Sequence, residues 1–594
     1  MLSPRPDAVP LDPPSAPAPA AIPGLTLRGG FLFRQGQATF LEKLAAAYAR
    51  GETAHLGVFV PGYGKTITAI AAFLVARTLG LADRLVVFVP RGNLRDQYAD
   101  GRALARLFDD LGAPPLTFCV ADGNRVFLKN LATQIIITTY QYAAGDRGND
   151  ALLKYTAQGR CLFVFDEVHH LSDDGTWAQK LAAFPHAASL ALSGTPMRSD
   201  NKTLFGVPFE SRAGENGEEE QFYVALHEVT LRDAHAEGGI LKRVEAHVVD
   251  YRLKMVRADT GEEVELSLSG LREIAPSARE VDVYLARRML RFHDVYLDTL
   301  LRPAFARFDE KRAALAAEMR ALGRGPGAYR DHQLLVIAMS NRHAAAVLDF
   351  VRARFPGLTA ARIGQDLPAA DCARDLAAYR EGRLDVMVQV DMIGEGTDIK
   401  PISVIVKADL VRAVSKTLQQ VFRGMRHYEA WPDAANVCDL YAANDSDVVG
   451  VLEWIASEQQ AGLKRRAERI TRDAAAPARA PEHSRWELAG VEHARMKSHA
   501  LEMASGPNAP LHLREMPART LDVGAREKAL RKTCADLANE LVHALAATNR
   551  PADVRDVHAR AKQVVGRAQA AQSVAELEAK RRWLERCLHV RRLL

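Results

Sequence analysis

At Pro61-Gly62-Tyr63-Gly64-Lys65-Thr66 a glycine-rich turn runs directly into a lysine and a hydroxyl side chain. That order of residue types suits phosphate. The apolar run Val58-Phe59-Val60 enters the turn and Ile67-Thr68-Ala69-Ile70-Ala71-Ala72-Phe73-Leu74 leaves it, so the stretch reads as strand, phosphate-binding loop and helix. Gly62 and Gly64 let the backbone approach phosphate oxygens, and the new helix supplies unpaired N–H groups and a positive dipole end. Lys65 is placed to reach the outer phosphates and the Thr66 hydroxyl to hold Mg²⁺. Phe59 stands where the G-x-x-x-x-G-K-[ST] pattern has its first glycine. Taken by itself, the stretch also fits a plain strand-to-helix turn.

Two further constellations could complete the chemistry. Cys161-Leu162-Phe163-Val164-Phe165 is a continuous apolar run that ends in Asp166-Glu167-Val168-His169-His170. Adjacent carboxylates there can divide two tasks, Asp166 holding Mg²⁺ and Glu167 orienting and deprotonating an attacking water. Much further on, Gln419-Gln420-Val421-Phe422-Arg423-Gly424-Met425-Arg426 places Arg423 and Arg426 one helical turn apart on one face. Delivered across a cleft, such guanidinium groups stabilise a transferred phosphoryl and contribute a factor of about 10³–10⁵ in P-loop enzymes. A basic surface helix is the alternative reading. Upstream of the turn, Arg34 and Gln37 form R-x-x-Q; the Gln37 amide can pair with a donor and an acceptor of adenine, or be an ordinary surface amide.

These groups need a scaffold, and the pattern between them supplies one. Leu85–Pro90, Ile135–Ile137, Cys161–Phe165 and Ala188–Leu192 are short apolar runs separated by helical stretches. They predict a parallel α/β sheet buried on both faces, with ligands gathered at the carboxyl ends of its strands. Leu334–Ser340, Val386–Val390 and Val404–Val406 repeat the pattern and predict a second such unit. Val248–Lys254 reads as a strand leading out of the first unit, and Ala278–Leu322, apolar at helical spacing, reads as inserted helices.

In chain order, V-P-G-Y-G-K-T, D-E-V-H-H and S-G-T-P-M-R (the last beginning at Ser193) resemble motifs I, II and III of superfamily 2 helicases. The D-E-x-H form, with His169 fourth, is similar to the DEAD/DEAH-related branch that includes restriction-enzyme motor subunits and repair translocases. Leu334–Ser340 with the following helix resembles motif IV, and Asp391–Asp398 resembles motif V. Gln419, Arg423 and Arg426 match the motif VI pattern Q-x-x-G-R-x-x-R, with Phe422 in place of its glycine. The resemblance covers residues 25–460.

It implies two tandem RecA-like parallel-sheet domains, ATP and Mg²⁺ as cofactors, and hydrolysis in the cleft between the domains. Nucleotide contacts fall to Arg34, Gln37, Gly62, Tyr63, Gly64, Lys65, Thr66, Gly396 and Asp398. Thr66 and Asp166 hold the metal, while Lys65, Glu167, Arg423 and Arg426 act on the phosphates. His169, Ser193, Thr195 and Gln419 link the nucleotide face to the opposite one. There nucleic acid crosses Arg91, Thr138, Thr139, Ser340 and Thr397, held through backbone phosphates and therefore salt-sensitive. The motif forms resemble those of DNA motors more than D-E-A-D RNA helicases, which favours DNA. The activities that follow are an ATP-dependent helicase or translocase, a double-strand translocase that does not unwind, or an ATP-switched binding module.

The expected division is a Pro/Ala-rich tail (1–24), a first RecA-like domain (25–245), a linker with helical insertion (246–330), a second RecA-like domain (331–460), a linker region (461–520) and a basic helical domain (521–594). Length alone requires several domains, since a single core stops growing near roughly 250–300 residues. Of the net charge of +5, residues 461–594 hold +10 and the remainder −5. A basic C-terminal part is the footprint of a polyanion partner, a docking face for a protein, or a solvated helical surface. The six cysteines are scattered without a C-x-x-C pair, which fits a reducing cytoplasm and neither a disulfide framework nor a zinc site. No apolar run approaches the ~20 residues of a membrane span, and no export signal is visible.

Overall fold

The apolar runs of the first half become a sheet because none of them has a polar face to turn toward water. In the computed structural model, which describes residues 22–123, 132–172, 175–194, 204–213, 219–257, 261, 263–268, 290–390, 392, 399–410, 414–444, 448–457, 486–503, 511–546 and 574–593, the strands are β1 (Ala54–Phe59), β2 (Arg84–Val89), β3 (Phe118–Ala121), β4 (Ile135–Thr139), β5 (Cys161–Asp166), β6 (Ala188–Ser193), the hairpin β7 (Phe209–Ala213) and β8 (Glu219–Tyr223), and β9 (His227–Val229). Seven of them form one sheet in the order β3-β4-β2-β5-β6-β1-β9. Every pairing in it is parallel. β5 and β6 are buried along their whole length, as expected when helices cover both faces. The carboxyl ends of β1, β5 and β6 therefore place the Gly62–Lys65 turn, Asp166 and Ser193 along one edge.

The second sheet has nine strands: β10 (Arg243–Arg257), β11 (Glu263–Ser267), β12 (Gln333–Ile337), β13 (Ala360–Ile363), β14 (Val386–Gln389), β15 (Ile402–Lys407), β16 (Val437–Ala443), β17 (Trp486–Met503) and β18 (Leu511–Leu521). Its order is β13-β14-β12-β15-β16-β10-β17-β18, with β11 paired to β10. The pairings from β13 to β10 are parallel. Those of β10 with β11 and β17, and of β17 with β18, are antiparallel.

Two expectations change here. Among the described residues of the expected linker and helical insertion at 246–330, β10 is an interior strand of the second sheet, and the helix Asp294–Ala321 packs Tyr296, Leu300, Leu301 and Phe305 against Val336, Val404 and Val406 of that sheet. Within 461–520, residues 486–503 and 511–521 are strands rather than linker, because β17 pairs along nearly the whole of β10. The expected linker at 474–481 lies outside the described residues. In the C-terminal segment, the helices Ala525–Ala546 and Val574–Leu593 pack on each other through Cys534, Leu541, Leu584 and Leu588.

One apolar cluster runs without a break from Phe40, Phe59 and Phe73 of the first unit through Ile240 and Leu241 to Leu335, Ile405 and Leu440 of the second. The buried side chains Asp439, Lys311 and His247, with the half-buried Arg307, then tie β16, the long helix and β10 together. Asp439 accepts from Lys311 Nζ at 2.6 Å, Arg307 Nε at 3.1 Å and His247 Nε2 at 3.1 Å. Burial alone would raise its carboxyl pKa; the His247 hydrogen bond with the Lys311 and Arg307 charges holds it well below the ordinary carboxylate range instead. No helix among the described residues is long and apolar enough to cross a membrane.

Candidate active site

The loop after β1 turns on two glycines in the left-handed region, Gly62 at φ 83° and Gly64 at φ 98°. Gly64 caps the helix Lys65–Thr78, and a Cβ there would sit 2.6 Å from Gln37 Nε2. Phe59, at the position of the missing glycine, is fully buried and packs edge-on against Phe40 at 5.2 Å and stacked with Tyr63 at 6.0 Å. The loop is thus anchored by an aromatic core where the pattern has a glycine.

A set of buttresses holds it from the side of the helix Gln35–Ala49. Arg34 donates to the Gly62 carbonyl at 2.6 Å and lies over the Tyr63 ring at 5.3 Å. The Tyr63 hydroxyl accepts from Gly36 N at 2.9 Å and donates to Glu237 Oε2 at 2.5 Å. Burial and then the Glu237 bond push the Tyr63 phenol above its ordinary pKa, so it stays a donor. Gln37 is buried, accepts from Arg34 N at 3.1 Å, and donates to the Gly64 carbonyl at 3.2 Å and to Thr68 Oγ1 at 3.3 Å. Its amide is engaged with the loop backbone here, not presented outward for a base. Tyr63 and Glu237 were not legible as buttresses, since Glu237 lies far along the chain on a short helix.

The acid pair sits across from Lys65. Lys65 Nζ and Glu167 Oε1 form an ion pair at 2.7 Å, with side chains 11% and 9% exposed. Glu167 occupies the left-handed region at φ 53°, a conformation that costs a non-glycine residue about 1–3 kcal/mol and persists only where its surroundings over-determine it. The Lys65 pair and the Gly194 N–H, 3.5 Å from Glu167 Oε2, do so here. Asp166 accepts from Glu167 N at 3.0 Å and from the Tyr98 hydroxyl at 3.0 Å, and its carbonyl accepts from Tyr140 at 2.7 Å.

The second unit reaches this cluster through the helix Val414–Phe422. Gln419 Nε2 lies 2.9 Å from His169 Nε2, and His169 Nδ1 lies 3.0 Å from Ser193 Oγ and 3.6 Å from Glu167 Oε2. With the Gln419 amide donating, His169 accepts at Nε2 and carries its proton on Nδ1, toward Ser193 and Glu167. Arg426 forms an isolated antiparallel bridge with Leu241, and a Cβ on Gly62 would lie 3.6 Å from its side chain. Arg426 therefore sits against the phosphate-binding turn. Arg423 follows the helix, half-buried, its N–H donating to the Gln420 carbonyl at 3.4 Å. Phe422 is a core residue, and the close approach is made by Gly424, where a Cβ would meet Cys438 Sγ at 2.4 Å.

The residues expected to meet nucleic acid divide. Arg91 is exposed after β2, and exposed Ser340 caps the helix Asn341–Arg354 by accepting from His343 N at 3.2 Å. Thr139 is half-buried and caps the helix Tyr140–Ala144. Thr138 is a correction: it is fully buried with its hydroxyl donated to the Ala121 carbonyl at 2.9 Å, so its side chain offers no surface contact. Thr195, Gly396, Thr397 and Asp398 lie outside the described residues.

The Lys65–Glu167 ion pair brings their chain neighbours Thr66 and Asp166 to one place, and their hydroxyl and carboxylate are hard oxygen donors of the kind that suits Mg²⁺. Glu245, His247 and Asp439 also bring ligand atoms within 4.8 Å of one another. There the adjoining Lys311 and Arg307 charges already occupy Asp439 and oppose a further cation.

A protein-family model of the type III restriction enzyme res subunit matches residues 31–198, and one of the helicase conserved C-terminal domain matches residues 311–428. No curated protein sequence matches the chain. Among solved structures, a fragment assigned to an HsdR subunit of a type I restriction enzyme from Vibrio vulnificus YJ016 is similar at 15% identity and TM-score 0.43, over 70% of this chain and 65% of that one. The Mycobacterium smegmatis helicase Lhr bound to ssDNA and AMP-PNP is similar at 14% identity and TM-score 0.40, over 71% of this chain and 48% of that one. The chain thus spans less than two thirds of the length of either structure.

Proposed function

Because the chain belongs to the superfamily 2 helicase-like family, we propose that it is a nucleic-acid-stimulated ATPase that moves along or unwinds DNA, hydrolysing ATP between its two sheet units. The observation that carries this reading is the Gln419–His169 contact, which joins a helix of the second unit to the acid pair of the first. A site wired across a cleft in this way couples hydrolysis to the relative position of the two sides.

In this reading, the Gly62–Gly64 turn and the helix N-terminus cradle the phosphates. Incoming phosphate oxygens compete with Glu167 for Lys65, and the carboxylate so released is the base that takes a proton from the attacking water. Thr66 and Asp166 would hold Mg²⁺, which would supply neutralisation of phosphate charge there. Arg426, already against the turn, and Arg423 then stabilise the transferred phosphoryl. Nucleic acid crosses the face bearing Arg91, Thr139 and Ser340 through its phosphates.

The test is ATP hydrolysis with single-stranded DNA, duplex DNA or RNA, by wild type and Glu167→Gln. DNA stimulation lost in the variant is the expected result; equal, slow turnover by both proteins would indicate an ATP-switched binding module instead. The match of residues 31–198 to a restriction-enzyme res subunit favours one second reading, a double-strand translocase that does not unwind. Duplex-stimulated hydrolysis without release of a labelled strand identifies it.

A further inference from the structure

Tyr98 ends the short helix Gly92–Tyr98 and is fully buried, yet none of the sequence motifs contains it. Its hydroxyl donates to Asp166 Oδ2 at 3.0 Å, so it touches one of the oxygen donors assigned to the metal.

The direction of this bond follows from proton counting: an ionised Asp166 only accepts, and a phenol has one proton, which goes to Asp166.

The geometry points to Tyr98 as a positioning residue for the metal, its hydroxyl holding the Asp166 carboxylate in the orientation in which it would meet Mg²⁺. Tyr140 holds the Asp166 backbone by donating to its carbonyl at 2.7 Å and Glu167 N donates to Oδ1 at 3.0 Å, so Tyr98 acts on the other carboxylate oxygen, Oδ2. Groups that orient metal ligands in this way cost about 10–100-fold in metal affinity when removed.

The inference rests on the proposed nucleotide site, and its test separates the two. The full chain is titrated with Mg²⁺ in the presence of a fluorescent ADP, and the same ADP is titrated in EDTA. Tyr98→Phe removes one oxygen and should raise the Mg²⁺ half-point about 10–100-fold while leaving the EDTA affinity unchanged. Tyr155→Phe removes another buried hydroxyl, one that donates to the Thr133 carbonyl at 2.6 Å, and should move neither titration. In an Asp166→Asn background, Tyr98→Phe should add little further loss.

A Tyr98→Phe half-point within twofold of wild type overturns the inference. So does an equal loss of affinity in EDTA, or a full additional loss in the Asp166→Asn background. If wild type binds no fluorescent ADP with Mg²⁺ present, the proposed nucleotide site itself fails.

Discussion

Replacing Gln419 by Ala removes the hydrogen bond between the second unit and the acid pair while touching neither Lys65 nor Thr66. A neutral hydrogen bond is worth about 0.5–1.5 kcal/mol, and a buried acceptor left without its partner costs about 1–3 kcal/mol. His169 is 7% exposed, so the larger figure applies to the arrangement that closes the cleft. A loss of about 1–3 kcal/mol lowers the turnover of the closed site by roughly 5–150-fold. Affinity for a non-hydrolysable ATP analogue should stay within about twofold, because that binding energy comes from the first unit's loop and helix terminus. The assay is steady-state hydrolysis, with and without DNA, by wild type, Gln419→Ala, His169→Ala and the double variant. If the two residues act through the contact at 2.9 Å, the double variant should be no slower than His169→Ala. Effects that simply multiply, to within about 0.3–0.5 kcal/mol, would mean the contact carries no coupling, and the reasoning fails.

Lys65→Met should destabilise the fold as well as abolish hydrolysis, by about 3–5 kcal/mol, because it strands a buried Glu167; adding Glu167→Gln should recover most of the lost melting temperature. Gly64→Ala combines a left-handed φ of 98° with a Cβ 2.6 Å from Gln37 Nε2, so it should cost about 1–3 kcal/mol and weaken ADP binding, read by melting and by titration. Three histidines, the buried His332 and His343 and the half-buried His235, predict acid sensitivity. Burial pushes His235 and His343 down to about 4, and burial with the Lys311 and Lys242 charges pushes His332 down to about 2. Each is neutral when folded and takes up a proton when unfolded below about pH 6.5, so stability present above that pH is lost as pH falls, by up to about 4 kcal/mol per unit if all three act together. Urea midpoints at neutral and acidic pH measure this slope, and one that does not flatten in His332→Phe would remove His332 from the account.

What the sequence made legible follows burial. Strands covered on both faces are continuous apolar runs, and Leu85–Val89, Ile135–Ile137 and Cys161–Phe165 could be read for that reason. β16 hides an acid, Asp439, in its middle, and that acid is tolerable only because Lys311, Arg307 and His247 arrive from elsewhere in the chain. β17 and β18 expose much of their length and alternate charged with apolar residues, so 461–520 read as linker. Gln37 and Thr138 show the limit for the site. Residue type said what each side chain can bond to, but whether the bond is made to the protein or to a ligand depends on the neighbours that folding brings up.

The path of the chain adds a mechanical constraint. Among the described residues no strand after β9 belongs to the first sheet, so the two sheets are joined covalently through the segment from Leu231 to Lys242. At the far end of that segment, Lys242 is fully buried; its ammonium donates to the carbonyls of Lys400 and Ile402 and lies 5.0 Å from the Trp431 ring. The neighbouring backbone pairs with the arginine segment, Lys242 N donating to the Met425 carbonyl at 2.6 Å and His427 N to the Ile240 carbonyl at 3.0 Å. The crossover is thereby fixed to the second unit at the residue beside Arg426. In a rotation of the second unit about this connection Arg426, bridged to Leu241, should move little against Gly62, so opening should be read at the Gln419–His169 contact rather than at the arginine.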